Sequence, residues 1–238
     1  MHHLPGRGVS PLLSQRGRLI AVILLACALV IFAAGLPFVH GGYADPADRV
    51  VDSWSIAHLG PHGTALQLLS DLGERNAVAV LTLLLALACL AARRASAVVL
   101  ALVSAPVAAA LTEWVLKGLV GHLYVDATYP SGHATALFAL AVALIVLVAS
   151  PRRRAGWLAL RVVVCVVAVL VAVAVAVAVI ALGDHHFADA IGGAATGTAV
   201  VLAGALVLDL PLARRVLALA GPFSRAPSAA PIEITQAH

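Results

Sequence analysis

Three groups of residues in this chain combine acids, bases and small turn formers at spacings that can do chemistry. In Tyr129-Pro130-Ser131-Gly132-His133 a small, flexible turn precedes an apolar run. Amides around Ser131 and Gly132 would point at an anion near the positive end of the helix that follows, with His133 in its first turn. His185 and Asp189 stand four residues apart, so on a helix the carboxylate would orient the imidazole and stabilise its cation. That is the orienter and base of a catalytic triad; the alternative is an aspartate capping a helix start. Glu113 and Lys117, also four apart, read either as a structural ion pair or as half of a site. Lys117 is the single lysine beside fourteen arginines, which suits a compact ammonium holding a phosphate oxygen as a point charge.

The elements that must position these groups are set by lipid. The 238 residues are 62% hydrophobic and 11% charged, with a mean hydropathy of +1.04, against roughly a quarter charged in soluble proteins. Stretches free of Asp, Glu, Lys and Arg, near the length of about 20 residues that crosses a bilayer, run over 19–39, 76–92, 95–112, 128–150, 162–183 and 190–208. The fifth contains VAVAVAVAV, whose alternation imitates a strand, but its length decides for a helix. The first run is too long for a signal-peptide core and is read as a retained helix. An all-α integral membrane bundle of six helices follows, because lipid leaves no backbone group unpaired, and the Gly and Ala content suits close packing. The expected organisation is a cytoplasmic segment 1–18, a membrane domain 19–210 and a disordered tail 211–238. Between helices one and two, Asp45-Pro46 makes a good start for an interfacial helix, with Val50, Val51, Trp54 and His58 on one face.

Orientation follows from the arginines. Arg7, Arg16, Arg18, Arg93, Arg94, Arg152 to Arg154, Arg214 and Arg215 all fall on one side, and the opposite loops carry seven acids with Arg49, Arg75 and Lys117. Both termini are expected in the cytoplasm, in the plasma membrane, with the three chemical groups at the outer ends of helices three to six. Ionisable residues at membrane depth are functional by default, and none lies mid-membrane to mark a transport pathway. The net charge of +4 does not imply nucleic acid, because the basic residues form short clusters rather than a stripe. Cys27, Cys89 and Cys165 lie in apolar runs without CxxC spacing and read as inert thiols. His122, Asp126, His133, His185 and His186 have residue types that suit zinc, but their spacings match no standard zinc signature.

Over residues 112–193 the chain resembles the type 2 phosphatidic acid phosphatases, integral-membrane enzymes with three separated motifs. PSGH at 130–133 is similar to the second motif, His185 to Asp189 followed by Ala-Ile-Gly-Gly to the end of the third, and Lys117 in LKGLVGH to the lysine of the first. The resemblance implies that His185 attacks phosphorus to form a phosphohistidine, Asp189 supports it, and His133 protonates the leaving alcohol. It further implies that Lys117, Ser131 and Gly132 bind phosphate oxygens, with a membrane lipid phosphate as substrate and no metal or other cofactor. Two family arginines are replaced, by Tyr124 in the first motif and Val179 in the third, and His122, His186 or Arg75 are candidates to substitute, His122 foremost. The missing clamps keep open a second reading, a non-catalytic protein that binds a lipid phosphate or a partner.

Overall fold

The computed structural model describes residues 12–13, 17–39, 46–121, 129–149 and 158–220, with no strand among them. The helices are α1 (Gly17–Val39), α2 (Pro46–Leu59), α3 (Gly63–Asp71), α4 (Arg75–Ala91), α5 (Ala95–Ala110), α6 (Lys117–Gly121), α7 (Gly132–Ala149), α8 (Leu158–Ala181), α9 (Phe187–Asp209) and α10 (Pro211–Ala220). A 3-10 turn over Gly60–His62 joins α2 to α3, and a π-helical turn over Leu111–Leu116 carries α5 into α6. α5 and α6 therefore form one apolar span, Ala95–Val120.

Among the described residues five helices are long and apolar enough to cross a bilayer: α1, the α5–α6 span, α7, α8 and α9. α4, with 17 residues, qualifies as the sixth when joined to α2–α3, from which it bends by 47°. The described residues thus form an all-helical, multi-pass membrane bundle of five to six spans, and VAVAVAVAV lies inside helix α8.

α7 and α9 form the centre: α7 packs on α5, α8 and α9, and α9 on α1, α5 and α7. Small residues allow this, since Ala97, Ala101, Ala108, Ala134, Ala139, Ala143 and Ala205 are wholly inaccessible. Gly193 and Gly197, spaced Gly-x-x-x-Gly on α9, lie directly against the backbone of α7. A methyl on Gly193 would stand 2.6 Å from the Ser131 carbonyl oxygen, and one on Gly197 would overlap the Thr135 carbonyl. This is how helices without a hydrophobic drive between them gain close dispersion contact.

α7 begins at Gly132, after the expected turn, where the Ser131 hydroxyl and carbonyl cap it. Three features differ from the sequence reading. α8 begins at Leu158 and includes Arg161, whose stem is compatible with a helix end. α2 turns its polar face inward: Asp48, Asp52 and Ser55 are buried, whereas Val50 and Trp54 are exposed and Trp54 stacks on His58. The tail read as disordered from residue 211 is helical to Ala220, with Pro211 pre-set for a first helical position.

At the arginine-bearing end the backbone amides of Leu12 and Leu13 donate to the Asp209 carboxylate at 2.7 and 2.9 Å. Those bonds compensate an acid at a helix C-terminus, where the dipole disfavours it. Arg94 donates to the Leu147 carbonyl at the end of α7 (2.6 Å).

Candidate active site

The site lies at the opposite end, where the starts of α7 and α9 meet the π-helical turn. The chain reaches α9 through a sharp reversal. Gly183, with φ +82°, takes the left-handed conformation that glycine adopts without strain, and the Asp184 and His185 amides both donate to the Val179 carbonyl (3.0 and 3.3 Å). His185 therefore stands in the turn before α9, not on the helix as its spacing suggested.

Asp189 remains within reach of it. His185 Nδ1 lies 3.3 Å from Asp189 Oδ2, and the same oxygen accepts the His186 amide at 3.0 Å. Both sequence readings of Asp189 thus describe it: the carboxylate caps α9 and also faces His185. With Nδ1 so engaged, Nε2 of a neutral His185 keeps its lone pair. Asp189 is fully buried and the His185 side chain 12% exposed, so the pair sits in a partly desolvated setting.

The second motif is tied to the third through backbone. The Ser131 amide donates to the Asp189 carbonyl at 3.0 Å, so it is not free for an anion, contrary to the expected pair of amides. Ser131 is wholly buried and its hydroxyl accepts the Ala134 amide at 3.4 Å. Its place is structural in this geometry. The Gly132 amide, first of α7, has no partner among the described residues. Thr135 donates to the Ser131 carbonyl (2.8 Å) and accepts from Thr112 (3.2 Å), which fixes the π-helical turn against α7. Helices carry such π turns disproportionately at functional sites.

His133 and His185 face each other, ring centroids 6.3 Å apart and planes at 63°. Lys117 and Glu113 form an ion pair at 2.8 Å, and the Glu113 carboxylate lies against Gly132, 3.1 Å from where a Cβ would stand. Lys117 is therefore beside the turn. The structure gathers His133, His185, Asp189, Ser131, Gly132 and the Lys117–Glu113 pair into one region; His122, Tyr124 and Asp126 lie outside the described residues. His186 does not turn to this region, since its Nδ1 is 2.7 Å from Asp52. Arg75 is exposed at the start of α4, and the Val179 side chain is fully buried in the bundle. Among the described residues no group of three His, Cys, Asp or Glu side chains is placed to hold a metal.

Four residues here were not singled out by sequence. Asp48 accepts the Ala188 amide (2.8 Å) and Asp52 the Phe187 amide (3.1 Å), so two carboxylates of α2 serve donors that a helix N-terminus leaves orphaned. Their i, i+4 spacing was a signal, masked by the apolar face that α2 shows to its surroundings. Tyr129 donates to the Ile31 carbonyl at 2.6 Å and its ring fills a notch made by Gly35 and Gly192. Burial, with the Asp189 carboxylate as second cause, pushes its ionisation far above the usual phenol range, so it stays a neutral donor. Glu74, the residue just before α4, brings its carboxylate to 3.5 Å from His133 Nε2.

A family model described as the PAP2 superfamily matches residues 106–210, from within α5 to the end of α9. The matched segment contains every one of the three motifs, and over it the chain is similar to that superfamily. No curated protein and no solved structure gives a match. The match and the apolar helices together support a multi-pass membrane protein with a phosphatase-like function in general.

Proposed function

We propose that the protein is a metal-independent lipid phosphatase, hydrolysing a lipid phosphate or diphosphate monoester through a phosphohistidine at the outer face of the membrane. The observation that carries this is the facing pair His133 and His185, 6.3 Å apart, with Asp189 behind His185 and Lys117 beside the Gly132 turn. In the first half-reaction His185 Nε2 forms a bond to phosphorus while the P–O bond to the lipid alcohol breaks, and His133 gives its proton to the departing oxygen. In the second, water bonds to phosphorus as the P–N bond breaks, and its proton passes to His133. Asp189 stabilises the positive charge that develops on His185, and Lys117 and the Gly132 amide meet the phosphoryl oxygens.

The site end carries the acids and few arginines, which supports an outward orientation with both termini in the cytoplasm of a plasma membrane. A headgroup presented at that surface reaches the site while its chain stays in lipid. Phosphate release from a panel of lipid monophosphates and diphosphates by purified protein in detergent tests the reading; tight binding of those lipids with no release would favour the second reading, a non-catalytic binder. That alternative draws on the buried Val179, which supplies no cation where the family has an arginine.

A further inference from the structure

His133 is held from a direction that the superfamily motifs do not include. Leu72, Gly73 and Glu74 form a tight turn between α3 and α4, in which the Gly73 amide donates to Ser70 (2.7 Å) and the Glu74 amide to Asp71 (3.2 Å). Gly73 lies flat on the imidazole: a Cβ there would come within 2.5 Å of His133 Cδ2 and 3.0 Å of its Cβ and Cγ. Glu74 Oε1 then stands 3.5 Å from Nε2, an atom that is buried and makes no hydrogen bond among the described residues. Among the described residues the other ionisable groups near this ring are His185 at its edge, backed by Asp189, and Glu113 beyond Gly132.

We infer that Glu74 is a positioning residue for the proposed general acid: with Gly73 it fixes the orientation of the His133 ring. The distance matters. At 3.5 Å the carboxylate lies beyond the 2.7–3.2 Å of a strong hydrogen bond, so it restrains the ring without locking it. Glu74 exchanges no proton itself; His133 passes its own to the leaving oxygen and recovers one from the attacking water. Because Glu74 is largely exposed, solvent screens it and its influence is a fraction of the acid's own.

The inference rests on the phosphatase reading and is tested by leaving-group dependence, using full-length protein in detergent. A long-chain alkyl phosphate needs its alkoxide protonated, whereas p-nitrophenyl phosphate expels a stable anion and needs little help. Glu74→Gln should lower kcat for the alkyl substrate by up to about tenfold, well inside the 10²–10⁴ range of general acid catalysis, and lower aryl turnover by a much smaller factor. Glu74→Asp should recover part of the alkyl rate, and Gly73→Ala, which displaces the ring, should show the same selective loss. Equal losses on both substrates, or none, with wild type active, would overturn the role of Glu74 and leave the phosphatase reading standing. Absence of turnover by wild type on either substrate would overturn both.

Discussion

At the scale of single residues, two histidines have different work in the proposed reaction, and their environments support the division. His185 has a buried carboxylate on Nδ1 and a partly desolvated ring, as a nucleophile needs; His133 stands in the first turn of α7 beside an exposed acid. The two should fail differently. His133→Ala is expected to lose alkyl phosphate turnover by roughly 10²-fold or more while retaining aryl phosphate turnover, and His185→Ala to lose both, as measured by phosphate release. Asp189→Asn should fall between, since it keeps an acceptor but loses charge. Lys117→Ala should weaken turnover strongly and Glu113→Ala less, because the cation can touch a phosphate and the acid only restrains the cation; equal activity of Lys117→Ala and wild type would reduce the pair to structure. The sequence made these residues legible because motifs of this kind are local strings. It could not show that the Ser131 amide is spent on the Asp189 carbonyl, since that bond joins positions 58 residues apart through the packing of two helices.

Elements decide how firmly the histidines are held. α7 and α9 approach closely because Gly193 and Gly197 leave room for the α7 backbone, so the two motifs are placed by a pair of absent side chains. Gly193→Ala should destabilise the protein by about 1–3 kcal/mol, as overpacking does, and lower the thermal midpoint in detergent. α2 contributes from the other side, where Asp48 and Asp52 hold the first amides of α9. Asp52→Ala should remove about 1.5–3 kcal/mol of charge-assisted hydrogen bonding and reduce activity through His185 placement, with Asp52→Asn recovering part of both in paired melting and activity measurements. An unaltered melting point and activity would show that α2 is not needed to seat α9. The apolar periodicity of α2 was visible in the sequence, and its amphipathic start at Pro46 stands in the structure. Its inward polar face was hidden, because periodicity alone cannot tell which face meets lipid and which meets a neighbouring helix end.

For the whole molecule, composition made lipid the solvent and length made the spans helical, and both inferences stand in the bundle of α1, the α5–α6 span, α7, α8 and α9. α4 is the instructive departure: at 17 residues it is short, and it joins the outer α2–α3 segment at a 47° bend rather than standing as a simple sixth span. The arginine asymmetry predicts orientation, and single cysteines read it out: a reagent that cannot cross the membrane should modify a cysteine at Asp71 and spare one at Arg215. The reverse pattern would place the site in the cytoplasm. The central claim, however, is a covalent one. Wild-type protein mixed with a phosphorus-labelled lipid phosphate and quenched within milliseconds should carry acid-labile label on a peptide containing His185, and His185→Ala should carry none. Lipid phosphate turnover by purified His185→Ala, or wild-type turnover with the label on another residue, would contradict the account.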